Sequence, residues 1–414
     1  MLRNLLFCLL FMITNAASAQ PDTVFLENLL KSKPELFGGI LEHPTNNEVQ
    51  ILYTRIDRDE KNAPHFTSYS YHLNPNHYFY PASTVKLPTA IFALEKLNEL
   101  NIAGLTMQST MKTDSSFNDE TRMLEDTSSV TGLPSIENYI KKILLVSDNY
   151  AYNRLYEFVG RAQINQKLKK YELRNTRIIG RLAIYDSGEN AKHTNAIDFY
   201  NDDKLIYHQP AQYDAGNYPM HLENMLQGKG YLDKNDKLVM KPYDFSEKNV
   251  YTISDMQSVL KRLLFPDAFS KEQQFNLTPE QYKFIYRYMS MFPGESKKPT
   301  YNRPDYYPAY CKFLFYGGDS TAVINPDIRI FNKVGDSYGY DIDNVYIVDF
   351  KHNVEFILTA VVQSNEDGIY NDNKYEYATV CLPFMKNLGQ VIYQYELERK
   401  RKNVPDLSKF RFNY

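Results

Sequence analysis

Ser83 and Lys86 stand three residues apart in Tyr80-Pro81-Ala82-Ser83-Thr84-Val85-Lys86-Leu87-Pro88. There the apolar residues Leu87, Ile91, Leu94 and Leu97 begin to recur at helical spacing. Residues i and i+3 of a helix share a face, so the amine lies one turn above the hydroxyl. An amine kept neutral by desolvation or by a nearby cation can take the serine proton. A helix start also leaves backbone N–H groups unpaired, and these can stabilise a developing oxyanion. The chemistry this spacing permits is attack by Ser83 on an acyl group, with Lys86 as base.

The same spacing recurs at Ser258-Val259-Leu260-Lys261, but inside a helical pattern, where no open helix end supplies N–H groups. That second match reads as structural. The first has company. Ser147-Asp148-Asn149 lies between two apolar helical patterns, and Lys333-Val334-Gly335 ends one strand pattern and leads into another. Gly335-Asp336-Ser337-Tyr338-Gly339 fits the G-x-S-x-G nucleophile elbow, which requires strand, turn and helix. Here a strand pattern follows, so a hairpin turn is expected. His72 and His77 form no metal-ligand motif, and neither a metal nor a cofactor is expected.

The elements that must position these groups follow from periodicity. A helix is expected over 24–37, strands over 48–56 and 65–73, and the Ser83 helix after them. Further helices are expected over 135–145, 149–159, 164–171, 254–264, 279–292 and 379–396. Three more strands are expected near 328–331, 344–350 and 353–362. Residues 199–250 are polar, with little periodicity, and read as long surface loops or an insertion. Strands from the two ends of the chain are expected to share one antiparallel sheet beside a helical lobe, an α/β arrangement with a second, all-α lobe.

The order Ser-x-x-Lys, Ser-Asp-Asn, Lys-x-Gly resembles the signature of the class A serine β-lactamases and penicillin-binding proteins. The resemblance runs from about Glu48 to the last helix. It implies a β-lactamase/transpeptidase-like fold: an antiparallel sheet flanked by helices, a helical second lobe, and the motifs in the cleft between them. It implies Ser83 as the acylated nucleophile, Lys86 as its proton acceptor and Ser147 as the relay to the leaving group. Asn149 would orient Lys86 and substrate, Lys333 would supply positive charge, and Gly335 would allow close approach. The N–H groups of Ser83 and Asp336 would form the oxyanion hole. The activity implied is β-lactam amide hydrolysis; a D,D-peptidase-like enzyme, an esterase or a penicilloyl-binding sensor are the alternatives.

The sequence departs from that pattern twice. Val334 stands where the family carries a hydroxyl that helps hold a substrate carboxylate; Ser337 would substitute only if the strand bends. The family's deacylation base comes from a Glu-x-x-x-Asn loop. In the corresponding stretch from Asp186 to Asn195, Glu189 is the one glutamate, and the residue four on is His193.

Composition bounds the rest. The chain has 414 residues and a formal charge of −3, which excludes the basic field that nucleic-acid binding needs. Arg399-Lys400-Arg401-Lys402 reads as a solvated helix end. Residues 1–19 read as a secretory leader: Arg3, an apolar run from Leu5 to Ile13, then Ala17-Ser18-Ala19, with cleavage before Gln20. A periplasmic location, one domain over 20–414 with inserts near 199–250 and 265–315, no membrane span, a monomeric state and a small-molecule acyl substrate, β-lactam or peptidoglycan-like, are the corresponding expectations. Cys311 and Cys381 remain after cleavage and are compatible with one disulfide or with two buried thiols.

Overall fold

The computed structural model describes residues 22–117, 121–184 and 188–414; the leader expected over 1–19 lies outside them. Five antiparallel strands form the central sheet: β1 (Gln50–Arg58), β2 (Pro64–Tyr71), β3 (Ile328–Ser337), β4 (Tyr340–Asp349) and β5 (Val354–Gln363). Their order is β3-β4-β5-β1-β2. β1 pairs with β5, Tyr53 opposite Leu358, so the two ends of the chain meet in one sheet as the sequence predicts.

Alternation along the strands separates two cores. Ile328, Ile330 and Val334 of β3 face one side, with Val345 and Ile347 of β4. Phe331 faces the other side, with Ile342, Tyr346 and Val348. The first face is covered by α1 (Val24–Lys31), α2 (Pro34–Leu41) and α9 (Leu382–Glu398). The expected single helix over 24–37 is thus two, because Pro34 cannot continue a helix but suits the first position of a new one.

The other face carries the helical lobe: α3 (Lys86–Leu100), α4 (Ile136–Val146), α5 (Asn149–Val159), α6 (Arg161–Lys170), α7 (Ile253–Leu264) and α8 (Pro279–Ser290). Residues 199–250 are not plain loop. Ile197–Asn201 and Lys204–Gln209 form a hairpin that also pairs with Thr110–Thr113. Strands of two or three residues, such as Leu226–Gln227 and Gly230–Leu232, follow; runs that short leave no periodicity to detect. Among the described residues no helix is long and apolar enough to cross a membrane.

α4 and α5 meet at the corner that carries Ser147 and Asp148. Ser135 caps the start of α4 by accepting from Asn138 N, and α4 ends at Ser147 in the left-handed region, φ 60°. Asp148 then caps α5, its carboxylate accepting from Ala151 N at 2.7 Å. Farther along α5, Glu157 is buried with two guanidinium groups. Its carboxylate pairs with Arg154 at 2.9 Å and with Arg181 at 2.9 Å, and Asn195 Nδ2 donates to it at 3.3 Å. Removing one partner of such a set strands the remaining charges away from water. Glu157→Ala is therefore expected to lower stability by about 3–5 kcal/mol, read as a shift of the urea unfolding midpoint at unchanged slope.

Candidate active site

Ser83 lies in a 3₁₀ turn, Ala82–Val85, that runs directly into α3. In such a turn residues i and i+3 eclipse, which sets Lys86 over Ser83. Ala82 takes a φ of 46°, a left-handed value uncommon for a residue with a Cβ and typical of strained functional turns. Thr84 fixes the turn from inside: its Oγ1 donates to Pro81 O at 2.6 Å and its N at 3.1 Å.

Lys86 has no exposed surface. Its Nζ donates to Ser147 O at 2.5 Å and to Asn149 Oδ1 at 2.6 Å, and lies 3.3 Å from Ser147 Oγ. The two short bonds can take the two hydrogens of a neutral amine, and the longer contact to Ser147 Oγ marks the third position, where a proton can be exchanged with that hydroxyl. Burial drives the Lys86 pKa well below the usual lysine range, and the nearby Lys333 cation pushes the same way. Lys333 Nζ donates to Ser147 Oγ at 2.8 Å and to Val334 O at 2.8 Å. Burial brings its own pKa down to about 8. The Ser147 hydroxyl thus sits between two lysine amines.

The third wall is β3. A Cβ built on Gly335 would lie 2.9 Å from Ser83 N and 2.9 Å from Pro81 O, closer than real Cβ atoms come to backbone. Tyr338 and Gly339 join β3 to β4 with φ values of 55° and 80°, the signs of a type I′ hairpin. The G-x-S-x-G stretch is therefore a turn, as expected. With Ser337 opposite Tyr340 and Gly335 opposite Ile342, the backbone groups that bond to β4 belong to Ser337 and Gly335. Those of Asp336 point to the free edge, beside Ser83 N. Two converging N–H groups of this kind can receive a developing oxyanion.

Ser83, Lys86, Ser147, Asn149, Lys333, Gly335 and the Asp336 backbone are brought together. Val334 is not part of that group: it lies on the opposite face of β3, 1 % exposed, in the apolar cluster that includes Ala309 and Cys311. The register is unbroken through Ser337, so the strand does not bend to recruit its hydroxyl. Glu189 is exposed; its carboxylate accepts from Lys192 at 3.1 Å and lies 3.6 Å from His193, and no bond joins it to the Ser83 group. Its neighbours Asp186 and Ser187 lie outside the described residues. Lys261, in the second Ser-x-x-Lys match, turns away to Ser68 Oγ at 3.4 Å. His77 bonds to Glu48 and to Asn224. Cys311 and Cys381 are both free and buried, and burial pushes the Cys311 thiol up to about 12.

The insert expected near 265–315 includes a segment whose course the sequence did not reveal: it covers the other face of β3. It reads Tyr301-Asn302-Arg303-Pro304-Asp305-Tyr306-Tyr307-Pro308-Ala309-Tyr310-Cys311. The local density of tyrosine was the available signal. Lys312 anchors the segment by donating to Ile330 O at 3.0 Å and Asn332 Oδ1 at 2.7 Å.

Solved structures with a similar course include a β-lactamase from Sphaerobacter thermophilus (13% identity, 88% of this chain and 97% of that one, TM-score 0.48). PBP-A (14%, 91% and 98%, TM-score 0.48) and a β-lactamase from Xanthomonas campestris (13%, 89% and 98%, TM-score 0.48) are comparable. Among curated protein sequences no match is found. The model of the β-lactamase enzyme family matches residues 43–395, and on that match, over most of its length, the chain belongs to the β-lactamase enzyme family.

Proposed function

We propose that the protein is a serine hydrolase that acts through an acyl-enzyme on Ser83, opening an activated acyl bond such as a β-lactam amide or an ester. The observation that carries this reading is the fully buried Lys86 amine, bonded only to neutral acceptors and pushed toward its neutral form by burial and by Lys333. Lys86 takes the Ser83 proton as Oγ attacks the carbonyl carbon. The oxyanion forms against the N–H groups of Ser83 and Asp336. The proton then passes through Ser147 Oγ, which lies within reach of both lysines, to the leaving group, and the acyl–Ser83 ester remains.

Slow release of that ester is the second part of the proposal. The carboxylates whose charge bears most on Lys86 are Asp148 and Asp336. Asp148 is engaged as a helix cap, and Asp336 alternates with Lys333 and Gly335 and so shares the Val334 side of β3. Glu189, the expected water-activating base, is exposed and held by Lys192. This favours a penicilloyl-binding, peptidase-like enzyme over a fast β-lactamase. Intact mass measured over time with penicillin and with a neutral activated ester tests both parts. An adduct on Ser83 that outlasts hours is expected, and none in Ser83→Ala; an adduct cleared within seconds would overturn the slow-release part. Labelling that survives Ser83→Ala would overturn the whole.

Lys86→Gln is expected to slow acylation by about 10²–10⁴-fold, the range of a lost general base. The wild-type acylation rate should rise with pH as Lys86 loses its proton, then fall above about pH 8 as Lys333 loses its own. In Lys333→Gln the falling limb should vanish and the rising limb should move to higher pH, because removing a neighbouring cation raises the Lys86 pKa. Gly335→Ala would force β3 off the Ser83 turn, and a displacement near 1 Å should cut acylation about 10²-fold, with the unfolding midpoint as the control for stability.

A further inference from the structure

We infer that the leaving group of the natural substrate carries a cationic ammonium, recognised by Asp336 and the tyrosines beside it, rather than the carboxylate for which the family's third motif is built. The inference rests on the acylation reading above and names the substrate class for that site.

Alternation along β3 puts Asn332, Val334 and Asp336 on one face. The segment ending at Lys312 covers that face step by step. Asn332 Nδ2 donates to Cys311 O at 2.8 Å, and Val334 is sealed in the cluster with Ala309 and Cys311. At Asp336 the cover stops and the residue is exposed. No ion pair joins the Asp336 carboxylate to a cation among the described residues. Its pKa is raised by the protein mass around it and lowered in part by Lys333 and Lys86.

Three half-buried tyrosines, Tyr307, Tyr310 and Tyr377, lie within reach of the Asp336 charge. Its negative field, after burial, helps to hold their hydroxyls protonated. Tyr307 and Tyr310 meet edge to face at 5.2 Å. Tyr377 Oη accepts from Gly339 N at 2.9 Å, which ties its ring to the same hairpin. A carboxylate among tyrosine rings matches a quaternary or primary ammonium, which pairs with the charge and rests on the ring faces. The corner lies toward Ser147, the proposed relay to the leaving group, because Tyr306 and Tyr310 pack against the cluster of Leu145, Val146, Met291 and Tyr301 that ends next to it. A substrate carboxylate would meet no hydroxyl at Val334, would find Lys333 already bonded to Ser147 Oγ and Val334 O, and would face Asp336 as a like charge.

Three thioesters of one acyl group test this, with thiocholine, methyl thioglycolate and thioglycolate as leaving groups. In each, Ser83 Oγ bonds to the carbonyl carbon, the C–S bond breaks, and the sulfur leaves with the proton relayed through Ser147. Thiol release and the mass of acyl-Ser83 are read together, each rate divided by that probe's spontaneous hydrolysis. The thiocholine ester is expected to acylate at least about tenfold faster than the thioglycolate ester, because like charges at a site are strongly disfavoured. Raising salt to about 0.5 M should shrink the ratio through screening. In Asp336→Asn the ratio should fall to within about twofold of one, as expected when the local charge difference is removed. A wild-type ratio at or below one, or a high ratio kept in Asp336→Asn, would overturn the inference while leaving acylation intact. Failure of all three probes to label Ser83 would overturn the acylation reading and this inference with it.

Discussion

Lys86 enters the protein interior without a charged partner. What touches its amine is a carbonyl, an amide oxygen and a hydroxyl. An ammonium ion moved there loses hydration worth several kcal/mol, and the least costly escape is loss of the proton. The packing of α3 against α4 and α5 is therefore what sets the chemistry. α4 ends in a left-handed residue, which stops the helix at Ser147 and turns the carbonyl of that residue to the amine instead of to another helical turn. α5 begins at once and brings Asn149 to the second hydrogen. Lys333, on a strand distant in sequence, closes the arrangement by adding positive charge where a second cation is least welcome.

Those parts of the site are legible in the sequence because each is local. Ser83 and Lys86 need only a helical start, Ser147 to Asn149 need only a corner between two helices, and Lys333 to Gly335 need only a strand end. The sheet was legible for a similar reason, since alternation fixes which residues face which core. What was not legible depends on long-range placement. Glu189 satisfied a local criterion, but its stretch is held at the surface by the pairing of His193 with Tyr213 and by its own lysine neighbour. Asp336 was read as a backbone donor alone, because nothing in the sequence says that the tyrosines near 306–310 return to the far face of the same strand.

β3 thereby divides its labour by face. Lys333 and Gly335 point to the helical lobe and to the Ser83 turn, while Val334 is sealed and Asp336 is left open under the segment that ends at Lys312. Chain added at that segment lies beside the strand and also reaches the helical lobe, where Tyr306 and Tyr310 pack against the cluster of Leu145 and Val146. The two faces are joined electrostatically as well. Asp336 raises the Lys86 pKa where Lys333 lowers it, so the carboxylate proposed to select the substrate would also partly restrain the base proposed to activate Ser83. A cationic leaving group bound at Asp336 would neutralise that restraint and push Lys86 further toward the neutral amine. Recognition of the matching substrate and activation of the nucleophile would then be the same electrostatic event.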